Sequence, residues 1–172
     1  MTIRTLRLLS VLIALLLSDA LLAQRAVFVV RHAEKEGEGS EKGVPLSKAG
    51  VARAERLATL LKDAGVNAIY STDTVRTRAT AEPLARARKL PIKIYDPRDA
   101  KATMAADPLA ASLKADEKDG VVLVVGHSNT VPDVLAAYGN NAPVRIGPDD
   151  YGDLFLLVPQ ASGAPVLLRL KF

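Results

Sequence analysis

Both histidines of this 172-residue chain directly follow short apolar runs. Arg31-His32 follows Ala26–Val30, and Gly126-His127-Ser128 follows Val121–Val125. A neutral imidazole, with an ordinary pKa of about 6.5, is a competent nucleophile near neutral pH. An arginine fork stays charged at any relevant pH and matches phosphate oxygens in pairs. Arg76, downstream of Ser71-Thr72, is the third element of the set. It is preferred to Arg78 by counting from Ser71-Thr72 and back from Thr80-Ala81. Such residues suit phosphoryl transfer, in which one imidazole takes the phosphoryl group and fixed cations hold the charge on its oxygens. His127 adds a cation if protonated and an N–H donor if neutral. The backbone amides of Ser128 and Asn129, opening a helix, can cradle an oxygen. No metal or other cofactor is expected, because His32 and His127 stand in no ligand spacing.

The elements that must position these residues alternate between strand and helix. Ala26–Val30 predicts a strand and 33–45 an exposed, Gly-rich loop containing the solvated pair Glu34 and Lys35. Ser47 is a good N-cap for a helix carrying Val51, Ala54, Leu57, Ala58 and Leu61, ended by Gly65. Ala68–Tyr70 predicts a second strand, with Ser71, Thr72 or Asp73 capping a helix through Arg76, Thr80 and Leu84. Pro91–Tyr95 predicts a third strand and Pro108–Lys114 a helix. Val121–Val125, apolar at every position, predicts a central strand covered on both faces. A helix with Pro132 in its first turn follows, then Asp153–Val158 and Pro165–Leu170 as a hairpin or two edge strands. The fold class is α/β: a three-layer sandwich with a mainly parallel central sheet flanked by helices. The candidate residues fall at the carboxyl ends of its strands, where such sheets bind ligands.

Four segments together resemble the histidine phosphatase superfamily, the phosphoglycerate mutase-like group. Val29 to Lys35 resembles its Arg-His-Gly signature, with Ala33 where glycine is usual, and Leu46-Ser47-x-x-Gly50 resembles the stretch that follows. Tyr70 to Arg76 with Thr80-Ala81-Glu82 resembles the second motif, and Val125 to Thr130 the closing Gly-His motif. The resemblance implies a phosphatase that hydrolyses phosphomonoesters or phosphohistidine through a covalent phosphohistidine at His32, without metal. Arg31, Arg76, His127 and Ser128 would bind the phosphate. Mutase activity is not expected, since no extra lid segments are evident. Larger members insert a region bearing a Glu general acid, and no matching segment stands between Ile92 and Gly120. Asp96 is the proton donor favoured over Asp99 and Glu82. The missing acid keeps an alternative open: a phosphate-pocket binding protein of the same fold with little or no catalysis.

Composition narrows the class. There are 23 Lys and Arg against 19 Asp and Glu, a formal +4, and the cations are scattered without clustered aromatics. That pattern points away from nucleic acid and toward small anionic ligands, and the resemblance implies a small phosphorylated substrate or a phosphopeptide. The absence of cysteine excludes disulfides, thiolate metal sites and a lipid-modified Cys. Residues 1–23 read as a secretory signal: Arg4 and Arg7, the apolar run Leu8–Leu17, and Ala23 before the cut. Asp19 interrupts the run before the roughly 20 residues a membrane span needs. The expectation is an exported, periplasmic or secreted protein with no membrane anchor after cleavage, and one domain over 24–172.

Overall fold

In the computed structural model, which describes residues 26–37, 39, 41–96, 120–160 and 163–172, six strands form one sheet. In chain order the elements are β1 (Ala26–Arg31), α1 (Lys48–Leu61), β2 (Val66–Thr72), α2 (Val75–Arg88) and β3 (Ile92–Tyr95). They continue as β4 (Val121–Gly126), α3 (Thr130–Ala137), β5 (Asp153–Val158) and β6 (Val166–Lys171). The strand order is β3-β2-β4-β1-β5-β6. β3, β2, β4 and β1 run parallel, whereas β5 is antiparallel to both β1 and β6. This is the mixed α/β sandwich the alternation of elements implied, with the tail as a hairpin on the β1 edge.

The uninterrupted apolar character of β4 has its cause in the layers. Val122 and Val124 pack with Val27 and Val29 beneath Val131, Val134 and Leu135 of α3. Leu123 and Val125 pack with Val30 and Ile69 beneath Leu57 and Leu61 of α1 and Ala81 and Leu84 of α2. Both faces of the strand are therefore covered. At the hairpin, the buried Asp153 carboxylate accepts from Arg169 (2.9 and 2.8 Å) and pairs with Lys171 at 2.7 Å. These bonds hold its pKa below the usual carboxylate range, the Arg169 bond contributing most.

Two local readings change. β2 extends to Thr72 because Ser71 is paired in the ladder with both Val125 and Ile94. The α2 cap is consequently Thr74, whose side chain accepts from Thr77 N at 3.3 Å, rather than Ser71, Thr72 or Asp73. Ser47 caps α1 as expected, accepting from Gly50 N at 3.2 Å. The helix expected at Pro108–Lys114 and the segment 1–23 lie outside the described residues. Among the described residues no helix is long and apolar enough to cross a membrane.

Gly50 in the first turn of α1 shows why a side chain is excluded there. A Cβ would collide with the backbone carbonyl of Glu34, the group that also accepts from Ser47 N at 2.9 Å. The helix thus rests directly on the chain two residues past His32. Gly50→Ala is expected to destabilise by about 1–3 kcal/mol, the usual range for overpacking. A urea midpoint equal to that of the unaltered protein would contradict this packing.

Candidate active site

Strand register brings the two histidines together. Arg31 pairs with Gly126 across the β1–β4 ladder, and His32 N donates to Gly126 O at 2.8 Å, so His32 and His127 emerge side by side. Their ring centroids lie 5.2 Å apart in an edge-on arrangement. The chain leaves β1 toward β2 on one side and leaves β4 toward β5 on the other. Connections therefore diverge at the β4–β1 pair, where open α/β sheets form a ligand crevice.

Arg31 and Arg76 reach the same place and are 7% and 6% exposed. Arg31 Nη1 donates to Gly147 O (2.8 Å) and Arg76 Nη1 to Glu41 O (2.9 Å). The Nε of each guanidinium is buried without a hydrogen-bond partner. Among the described residues no carboxylate lies within ion-pair distance of either. Burial, then the neighbouring Arg31 charge, pushes the Arg76 pKa below its ordinary value. Two desolvated cations with unmet donors and no carboxylate in ion-pair contact make a site that an anion would complete. Arg78, by contrast, is a surface residue paired with Asp73 at 2.8 Å.

The imidazoles are neutral at neutral pH. Burial depresses His32 to about 3, helped by the charges of His127, Arg76 and Arg31 and opposed by its bond to Ala33. Burial, then Arg76 and Arg31, brings His127 to about 4. His32 Nδ1 lies 2.7 Å from Ala33 O. A carbonyl can only accept, so Nδ1 carries the proton and Nε2 holds the free electron pair. A similar chain orders His127. Thr77 Oγ1 donates to Thr72 O (2.8 Å), Thr72 Oγ1 donates to Thr77 Oγ1 (3.2 Å), and His127 Nδ1 can then donate to Thr72 Oγ1 (3.3 Å).

These shifts have a consequence for stability. Below the unfolded value of 6.5 each imidazole is protonated in the unfolded chain and still neutral in the fold. The unfolded state then binds more protons, so stability falls as the pH is lowered, by about 2 kcal/mol per histidine at pH 5. The loss continues until the folded values near 4 and 3 are passed. We expect melting temperature to drop between pH 6.5 and pH 4, less steeply in His127→Asn. Parallel profiles for the two proteins would contradict the depressed His127 pKa.

The remaining candidates separate. Asp96, half-buried, lines a cavity of about 500 Å³ together with His127, Thr72, Tyr95, Ile94 and Lys42. Ser128 is half-buried in the turn between β4 and α3. Glu82 is exposed on α2, and Asp99 lies outside the described residues. The pair read as solvated is not: Glu34 receives Arg53 Nε on both oxygens at 2.9 Å, and Lys35 Nζ donates to Gly37 O and Gly39 O. Arg53 also donates to Phe172 O at 2.7 Å, tying the loop after His32 to the chain end. Ala33, where glycine was the reference, is wholly buried with Leu46 and Ala54, and its amide donates to Thr80 Oγ1 at 3.0 Å. Tyr151 was not anticipated: its ring lies 4.0 Å over Arg31 and 5.8 Å from the His32 ring. Among the described residues no group of three or more His, Cys, Asp or Glu could hold a metal ion.

Residues 27–97 match the family model of the histidine phosphatase superfamily, branch 1, and the solved structures that share this fold include a protein histidine phosphatase. The chain belongs to the histidine phosphatase superfamily. It is 30% identical over 129 residues to an 8-oxo-(d)GTP phosphatase of Mycolicibacterium smegmatis, a match covering 70% of this chain and 39% of that protein. It is 38% identical over 77 residues to a probable phosphoglycerate mutase, GpmB, of Proteus mirabilis, covering 42% of this chain and 35% of that one. The matches thus span well under half the length of these two relatives. In fold it is similar to the protein histidine phosphatase SixA complexed with tungstate, with a TM-score of 0.68 and 18% identity over 85% of this chain and 96% of that one. In this histidine phosphatase superfamily member the motif segments around His32, Arg76 and His127 therefore lie on a fold shared with phosphatases.

Proposed function

We propose that this chain is a metal-independent phosphatase in which His32 Nε2 accepts the phosphoryl group of a small phosphorylated substrate. The observation that carries the reading is the pair of buried, unmatched arginines, Arg31 and Arg76, beside a neutral His32 with its free electron pair on Nε2. In the first step the Nε2 pair forms the N–P bond as the P–O bond to the leaving group breaks. Arg31 and Arg76 hold the nonbridging oxygens, where the charge of the transition state resides. A bound phosphoryl dianion favours a proton on His127 Nε2, opposing the effect of burial, so His127 becomes a further donor when substrate is present. Asp96, in the cavity beside His127, is the proposed proton donor to the leaving oxygen. In the second step water attacks phosphorus, its proton passes to Asp96, and the N–P bond breaks. Ser128 amide is a proposed oxygen ligand. The signal-like pattern of residues 1–23 supports export as part of this reading.

The test is a panel of phosphomonoesters and phosphohistidine peptides, assayed with chelator on the unaltered protein and His32→Ala. Turnover by the first and none by the second supports the reading. Equal turnover by both would overturn it. Tungstate binding with no turnover on any substrate would instead favour the phosphate-pocket binding protein.

A further inference from the structure

Arg31 is gripped from two sides by the residues that precede β5. Gly147 O accepts from its Nη1 at 2.8 Å, and the Tyr151 ring covers its guanidinium carbon at 4.0 Å. The same ring stands 5.8 Å from His32, tilted at 54°. Tyr151 is also within electrostatic reach of Arg76. The segment is internally braced: Gly147 N donates to Asp150 Oδ2 (2.9 Å) and Tyr151 N to Asp149 O (3.1 Å). At its end Gly152 O accepts from Phe172 N at 3.0 Å. Antiparallel pairing of Val30 with Leu154 carries this segment to the carboxyl end of β1, directly beside Arg31 and His32.

We propose that Tyr151 is a positioning residue of the phosphoryl site, fixing the plane of the Arg31 guanidinium so that its Nε and free Nη face the phosphoryl oxygens. This rests on the reading of that site as the place where substrate phosphate binds. A guanidinium stacks through its face and donates through its edge, so a covering ring leaves the edge available. With Nη1 already held by Gly147 O, the ring removes the remaining rotational freedom and keeps water off the cation. The Nε, buried without a partner, then meets an oxyanion at little further desolvation cost. Tyr151 acts through Arg31, by its ring and not its hydroxyl.

The experiment measures tungstate affinity, and KM and kcat on an aryl phosphate, for the unaltered protein, Tyr151→Phe, Tyr151→Leu and Tyr151→Gln. The leucine and glutamine variants are expected to weaken tungstate binding and raise KM about tenfold, in line with loss of a desolvated cation–π contact, with kcat within about threefold. Tyr151→Phe should stay within about twofold of the unaltered protein. Either the leucine or the glutamine variant suffices if the other does not fold. Unchanged tungstate affinity in the folded variant overturns the proposal, and so does a phenylalanine variant as weak as leucine, which would assign the role to the hydroxyl. If the unaltered protein binds tungstate with this order of affinities but turns nothing over, the phosphatase reading fails and the positioning role stands. Failure of the unaltered protein to bind tungstate overturns both.

Discussion

Replacing His32 with alanine is expected to lower phosphomonoester turnover on the order of 10⁴-fold or more, because no other group in the crevice offers an equivalent electron pair. His127 is the only other imidazole in the chain, and with a phosphoryl dianion bound its Nε2 carries a proton and has no electron pair to give. Tungstate affinity should change far less, within about tenfold, since Arg31 and Arg76 still supply the cations. The separation of the two readouts is the point: the imidazole carries the bond, and the arginines carry the charge. Turnover within tenfold of the unaltered protein would mean that phosphoryl transfer does not pass through His32.

Arg76→Ala is expected to lower kcat/KM about 10³-fold, the scale on which a phosphoryl-stabilising arginine acts. Its effect on the fold should have the opposite sign. Arg76 is buried beside Arg31 without a carboxylate partner, and both burial and that like charge disfavour its cationic form. Removing it relieves this cost, so the melting temperature in the absence of anion should hold or rise. Added tungstate stabilises the unaltered protein by mass action and should shift the variant much less. Arg76→Lys keeps a charge but loses the fork and the bond to Glu41 O, so recovery should be partial. A variant with lost activity and a lowered melting temperature that tungstate restores would contradict the claim that the site stores unmatched positive charge.

Much of this arrangement was legible because strand ends and chemistry coincide. β4 had to be central, since Val121–Val125 has no polar face to give to water, and the placement of His32 and His127 after β-rich runs followed. The helix at Ser47 was readable from its cap and from the apolar spacing of Ala54, Leu57 and Leu61. Thr74 as the α2 cap was not, because Ser71 and Thr72 resemble cap residues while being buried strand residues at the crevice. Polar side chains at the carboxyl end of a strand mislead a local reading in this way when the site is built from them. Glu34 looked solvated because its partner Arg53 sits on α1, and only tertiary packing brings the two together. Tyr151 was hidden for a related reason. Residues 146–152 lie in no helix or strand, and the partner of β5 could not be known from sequence. Once β5 is placed antiparallel to β1, the residues just before it must lie near Arg31.

The central claim is a covalent phosphoryl group on His32, and rapid acid-free quenching during turnover tests it most directly. With labelled substrate and chelator present, the account predicts an alkali-stable, acid-labile phosphoryl group that maps by mass spectrometry to the peptide containing His32 and is absent from His32→Ala. Turnover accompanied by label on any other residue, or by the same label in His32→Ala, would contradict it.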